Sequence, residues 1–318
     1  MTDSPTEPAG DPPTEPAPAP TGPTQCGYVA ILGAPNAGKS TLLNRLVGAK
    51  LSIVSPKVQT TRTRVLGIQV LGAAQMIYID TPGIFRPKRR LDRAMVAAAW
   101  SGAADADVVL LLVDAEDGLT DEVKSIVAGL KQAGRRAVLA LNKIDATRHE
   151  KLLQLAGALD LEGLFDRIFM ISGLSGDGVG DIEKYLLERL PISPWLFPED
   201  QLTDIPQRLL AAEVTREQLF LQLHDELPYE TTVETESWEE LKDGSVKISQ
   251  IVYVQRASQK AIVLGKGGRQ IKRLGERARL EFEKMLERKV HLFLFIKVRE
   301  DWAEDRERYA AIGLEFDH

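Results

Sequence analysis

The chain has 318 residues, longer than one typical domain, and 44% of them are apolar, enough for more than one buried core. Its 40 Lys and Arg against 46 Asp and Glu give a formal charge of −6, which excludes a uniformly basic nucleic-acid coat; its single cysteine, Cys26, excludes an internal disulfide framework and fits an intracellular protein. No uncharged apolar run is long enough to span a bilayer, the longest contender being ADADVVLLLVDAEDG, short and bordered by acids.

Residues 1–25 combine Pro, acid and small residues without a Lys or Arg, so they read as a disordered tail and neither a secretion signal nor a basic targeting peptide. A short apolar strand, Tyr28 to Leu32, then runs into GAPNAGKS, and the residues after Lys39 put Leu42, Leu43 and Leu46 on one helical face. Strand, glycine-rich turn and helix is the setting of a phosphate loop, with Gly33, Gly38, Lys39 and Ser40 at its spaced positions. Backbone N–H groups and the helix N-terminus cradle phosphates, the lysine reaches the terminal ones, and Ser40 holds Mg²⁺.

The polar loop SPKVQTTRTR follows, in which Thr60 or Thr61 is placed to close over Mg²⁺ and a γ-phosphate; an ordinary surface loop is the alternative. VLGIQVLG and AQMIYIDTPG read as neighbouring strands, and ADVVLLLVDA, RRAVLALNKID and FDRIFMIS as buried strands of a mostly parallel sheet flanked by helices. Asp80, Asn142 and Ser172 all sit at carboxyl ends of strands, where ligands collect in such sheets. Asp80 is placed for a magnesium-bound water, and Gly83 N–H for the γ-phosphate. In NKID, Asp145 accepts from N1–H and the exocyclic amine of guanine, Asn142 meets N7, and the Lys143 stem lies along the ring or the phosphate loop. Adenine would leave the carboxylate unpaired, so GTP is the expected substrate. Ile84 stands where many small GTPases carry a water-orienting glutamine and cannot hydrogen-bond through its side chain, which predicts slow intrinsic turnover with no side-chain general base.

Pro-rich texture near Leu190 to Asp204 marks a boundary: a nucleotide domain over 26–190, a linker over 191–206, a second domain over 207–300 and a C-terminal tail over 301–318. The second domain reads helix, strand, strand, helix, helix, strand, the first helix covering RLLAAEVTREQLFLQLHDELPY. Between its two later helices Gly265, Lys266, Gly267 and Gly268 form a Gly-x-x-Gly turn, flanked by Ile262, Ile271 and Leu274 at helix-packing spacings. From Arg256 to Arg299 there are 13 Lys and Arg against 4 Asp and Glu, a local balance of +9. Such a turn is what KH domains use to clamp a single-stranded RNA backbone, with Lys266, Arg269, Lys272 and Arg273 as the phosphate contacts. Ile262 and Ile271 either line the groove or fill the core.

GAPNAGKS, QTTR, DTPG, NKID, SGLSGDGV and VLGKGGRQIKRLGERAR occur in an order and spacing that resemble the Era family, bacterial ribosome-assembly GTPases of the TRAFAC class. The resemblance implies a P-loop GTPase α/β domain followed by a smaller α+β type II KH domain. It implies a phosphate loop of Gly33, Ala34, Pro35, Asn36, Ala37, Gly38, Lys39, Ser40 and Thr41. Lys39, Thr60, Thr61 and Gly83 would support phosphoryl transfer, and Ser172 with Gly173 would contact the base through the backbone. A potassium ion beside the phosphates, held partly by Asn36 and first-switch carbonyls, is also implied, with Asn36 simply shaping the turn as the alternative. The family often has Val where Ala37 stands and Ala where Gly173 stands. GTP or GDP, Mg²⁺ and K⁺ are the implied cofactors. The implied partners are the small ribosomal subunit and its RNA near the 3′ end, met as a monomer in the cytoplasm. A nucleotide-stabilised RNA adaptor without turnover, and a GTPase peripheral at the inner face of the cell membrane, are the alternatives.

Overall fold

The computed structural model describes residues 22–300 and, beyond them, Trp302, Asp305, Arg306, Tyr309 and 314–316. The expected disordered tail lies outside the described residues up to position 21. The first domain runs β1 (Gln25–Gly33), α1 (Lys39–Val47), β2 (Val65–Leu71), β3 (Ala74–Asp80), α2 (Arg90–Asp105), β4 (Val108–Asp114), α3 (Asp121–Gln132), β5 (Ala137–Asn142), α4 (His149–Asp160), β6 (Phe165–Met170) and α5 (Val179–Leu187). Its sheet has the order β2-β3-β1-β4-β5-β6, parallel except for β2.

The apolar runs are continuous because both faces of this sheet are covered. Alternate residues feed two cores: Ala30, Leu32, Ile77, Leu111 and Leu139 pack on one face, Val29, Ile31, Met76, Leu110 and Val138 on the other. The carboxyl ends of β1, β3, β4 and β5 therefore open on one rim, which carries Gly33, Asp80, Asp114 and Asn142.

The segment joining the domains is pinned rather than loose. Gln75, fully buried, accepts from the N–H groups of Leu196 and Phe197 at 2.9 and 3.0 Å and donates to the Phe197 carbonyl at 2.8 Å. Leu202 and Thr203 bond the backbone of β2.

The second domain runs α6 (Gln207–Gln222), β7 (Thr231–Glu240), β8 (Val246–Val254), α7 (Ala257–Leu264), α8 (Arg269–Leu286) and β9 (Val290–Val298). β7 is antiparallel and β9 parallel to the central β8. A parallel neighbour needs a long crossover, and α7, the glycine turn and α8 supply it. The first helix is shorter than the sequence suggests: Leu223 turns extended, Asp225 is left-handed, and Leu227–Glu230 forms a separate 3₁₀ turn led by Pro228. In α7 the core residue is Val263, while Ile262 is 58% exposed; only Ile271 and Leu274 of the expected packing set turn inward.

The described part of the C-terminal stretch folds back on the first domain. Tyr309, Leu314 and Phe316 pack with Phe85, Leu91, Ala94 and Met95 at the start of α2. Trp302 Nε1 donates to the Glu230 carbonyl at 3.0 Å. No helix among the described residues is long and apolar enough to cross a membrane.

Candidate nucleotide site and basic turn

The turn between β1 and α1 is held open by backbone conformation. Gly38 has φ +95°, and a Cβ there would lie 2.3 Å from Asn142 Nδ2, so only glycine fits. α1 starts at Lys39, leaving its first N–H groups facing a cavity of about 340 Å³ lined by the phosphate loop, the loop after α1, Gly83 and Lys143. Lys39 is buried, donating to the carbonyls of Gly33 at 3.1 Å and Ala34 at 2.8 Å. Burial pushes its ammonium down to about 8, against the pull of Asp80.

Asp80 Oδ2 accepts from Ser40 Oγ at 2.7 Å and from Ser52 Oγ at 2.9 Å. Ser40 Oγ also lies 2.9 Å from Thr61 Oγ1. Thr60 faces elsewhere, donating to the Lys57 carbonyl at 2.8 Å and meeting Ser55. Of the two candidate threonines, the structure thus brings only the Thr61 hydroxyl to Ser40. Asp80 Oδ1 is buried and has no partner among the described residues. An orphaned carboxylate oxygen beside two hydroxyls fits the water shell of a magnesium ion, which keeps several waters and few protein ligands. Burial pushes the Asp80 carboxyl up, opposed by Lys39 and by the bonds from Ser40 and Ser52. Ser52 escaped the sequence reading, since an isolated loop serine carries no spacing signal.

Asn142 works as a brace. Its Nδ2 donates to the Ala37 carbonyl and its Oδ1 accepts from Gly173 N–H, both at 2.8 Å. It ties the phosphate loop to the loop after β6 and leaves one amide hydrogen for a base N7. Ser172 N–H donates to the Asp177 carbonyl and Gly173 N–H to Asn142 Oδ1, which shape the loop that carries both residues. Lys143, left-handed at φ +66°, pairs with Asp114 and lines the cavity. The Asp145 carboxylate is exposed and unpaired among the described residues, free to meet a ligand edge. Asn36 Nδ2 donates to the first-switch carbonyl of Pro56 at 3.0 Å. Ile84 is buried in the core, its N–H bonded to the Gly33 carbonyl at 3.1 Å, so no side chain at this position orients a water.

In the second domain, Gly267 and Gly268 are left-handed at φ +63° and +74°, which turns the chain directly from α7 into α8. Lys266, Arg269, Lys272 and Arg273 are all exposed, and none pairs with a carboxylate among the described residues. Gly265 packs against Gln270, where a Cβ would meet the Gln270 side chain at 2.7 Å. The result is a row of exposed cations without carboxylate partners, Arg269 Nε donating to the Lys266 carbonyl at 3.2 Å, beside a glycine-rich turn.

Residues 28–143 match a family model described as 50S ribosome-binding GTPase, and residues 226–303 match one described as KH domain. GTPase Era of Rhizobium meliloti is 58% identical over 294 residues, 92% of this chain and 94% of that protein. The chain belongs to the Era family. GTPase Era of Brucella suis is 56% identical over 293 residues, covering 92% and 94%. Two solved Era structures superpose with a TM-score of 0.86 at 38% identity, covering 91% of this chain and 99% of each: one in complex with MgGDPNP and nucleotides 1506–1542 of 16S ribosomal RNA, and an Aquifex aeolicus Era variant bound to GDP.AlF4-. As an Era-family member the chain is a GTP-binding and GTP-hydrolysing switch protein, with a P-loop GTPase domain and a KH domain in the expected order.

Proposed function

We propose that this Era-family GTPase hydrolyses GTP in the cavity between the phosphate loop and the loop of Thr61, and binds single-stranded small-subunit ribosomal RNA near its 3′ end through the turn at 265–268. It acts in the cytoplasm, as a monomer, in assembly of the small ribosomal subunit. Residues 26–190 form the nucleotide unit, 191–206 the linker and 207–300 the RNA unit. The observation that carries the reading is the approach of Thr61 Oγ1 to Ser40 Oγ beside the orphaned Asp80 Oδ1. Ser40 and Thr61 would hold Mg²⁺ directly and Asp80 through water; the ion, when bound, neutralises charge on the β- and γ-phosphates. Lys39 and the Gly83 N–H meet the phosphates, and Asp145 reads the guanine edge. Asn36, already touching the Pro56 carbonyl, is the side chain placed to share a potassium ion with first-switch carbonyls.

RNA is favoured over anionic lipid at the basic turn because a bare glycine turn lets a sugar-phosphate backbone approach closely, which a lipid surface does not require. The deciding experiment is calorimetric. GTP binds the wild type far more tightly than ATP, and Asp145→Asn shifts preference towards xanthosine triphosphate; comparable GTP and ATP affinities would overturn the base assignment. Turnover in KCl exceeds that in NaCl at equal ionic strength, and equal rates would remove the potassium role alone.

A further inference from the structure

The loop carrying Thr61 is held from outside its own domain. On one side it meets the phosphate loop, through Ser40 and Asn36. On the other it lies against α6 of the RNA unit. Glu217, buried in α6, divides its carboxylate: Oε1 accepts from Val54 N–H at 2.9 Å, and Oε2 pairs with Lys50 Nζ at 2.6 Å. Its neighbour Arg216, 2% exposed, is clamped by Glu213 through Nε at 2.7 Å and donates from Nη2 to the carbonyl of Thr60. Lys57 donates to the Leu223 carbonyl, and Arg62 donates to the carbonyls of Thr231 at 2.9 Å and Tyr229 at 3.0 Å.

These contacts bracket the site. Val54 and Thr60 are the backbone points on either side of the loop tip, and Thr61 is the residue after the one whose carbonyl Arg216 holds. A carbonyl fixed by a buried guanidinium fixes the following peptide plane, and with it the direction in which Thr61 presents its hydroxyl. Burying two charged side chains is costly, the more so because Arg216 Nη1 is buried with no partner among the described residues, and a mere hinge would be better met by apolar packing. A loop that senses a γ-phosphate needs a template that defines its ordered position.

We propose that Arg216 and Glu217 of the RNA unit are positioning residues of the GTPase site, holding the first-switch loop in the conformation that presents Thr61 to Ser40. The inference rests on the reading of Thr61 as the switch threonine, and touches neither phosphate nor metal directly. The RNA unit thereby completes a nucleotide site that the first domain alone leaves unheld. GDP, which lacks the γ-phosphate, makes no demand on this loop.

The test compares the full chain with Arg216→Met, which keeps length and loses every donor, and with Glu217→Gln, which keeps shape and an acceptor but loses the charge facing Lys50. Affinities for GDP and GDPNP, kcat and KM for GTP, and Tm are measured for each, with Arg216→Lys as the conservative check. The expected result is a fall of about tenfold in GDPNP affinity and in kcat, on the scale of one charge-assisted hydrogen bond, with GDP affinity within about twofold of wild type and partial recovery in the lysine variant. Unchanged GDPNP affinity and kcat in a folded Glu217→Gln variant, or equal losses for GDP and GDPNP, would overturn the positioning role. If wild type itself fails to distinguish GDPNP from GDP, the switch reading falls instead, so the two failures are separable.

Discussion

Lys39 is a buried ammonium held at about 8 by its surroundings. Polyphosphate against it favours the charged form, so its value in the complex lies above that of the free protein. The sign follows: nucleotide affinity contributed by Lys39 is fully present below about pH 8 and weakens as pH rises through that value, by up to about tenfold per unit until the complex also loses the proton. Binding near pH 8.5 should take up more than about half a proton, measured as the dependence of calorimetric enthalpy on buffer ionisation heat. An enthalpy that is independent of buffer at that pH would mean that burial does not hold the free Lys39 near 8. At this scale the phosphate loop was legible because its geometry is local: a left-handed Gly38 next to Lys39 is written in consecutive letters. The choice between Thr60 and Thr61 was not, because it depends on Ser55 and the Lys57 carbonyl capturing one hydroxyl and on Ser40 meeting the other. Nor could sequence reveal that Asn142 spends its amide on Ala37 and Gly173, partners 105 and 31 residues away.

Strands and helices were legible where periodicity dominates. The run Ala137–Asn142 is buried throughout, as a strand covered on both faces must be, and the order of elements in the second domain matched its hydrophobic pattern. α6 shows what periodicity misses. Thr215, Arg216, Glu217 and Gln218 are all buried, because the helix is sandwiched between its own sheet and the loop of the other domain; a polar stretch of this kind reads in sequence as solvent-facing. The joining segment is a similar case. Its prolines suggested a linker, while one buried amide, Gln75, reaches Leu196 and Phe197, and Leu202 and Thr203 bond β2. Replacing Gln75→Leu would leave those N–H and C=O groups without their partner and should cost about 2–4 kcal/mol, read as a fall in the urea midpoint. A change below about 0.5 kcal/mol would mean that the segment is not held by this amide.

Across the whole molecule, a short path of charges runs from the base of the first-switch loop to α6 and α8. Lys50, at the base of the first-switch loop, pairs with Glu217 on α6 and with Glu281 on α8 at 3.0 Å, and α8 is the helix that opens with the basic turn. Arg62 reinforces the same junction; burial and the neighbouring Arg216 push it down to about 9, so it remains a cation at neutral pH. A ligand that orders the loop and one that settles α8 therefore act on a shared element, and any effect must be reciprocal. RNA from the 3′ end of the small-subunit ribosomal RNA should bind the GDPNP form more tightly than the GDP form by a factor of about 5 to 150. Fluorescence titration of a single-stranded fragment checks this, and equal affinities in the two states would defeat the coupling. With Lys266 and Lys272 both changed to Ala the salt dependence of binding should flatten by about two phosphate contacts. An unchanged salt slope would relocate the RNA contacts.

During synthesis the chain leaves the ribosome from its N-terminus, and domains fold as they emerge. The phosphate loop is complete long before α6 exists, so a nascent first domain holds its nucleotide loop with Val54 and Thr60 unattached. β9 comes later still, and its pairing of Val290 with Val246 and Val298 with Val254 closes the crossover that carries the basic turn. The vectorial order of translation thus sets a sequence of assembly: the nucleotide loop first, its contacts to α6 second, and the sheet that frames the basic turn last.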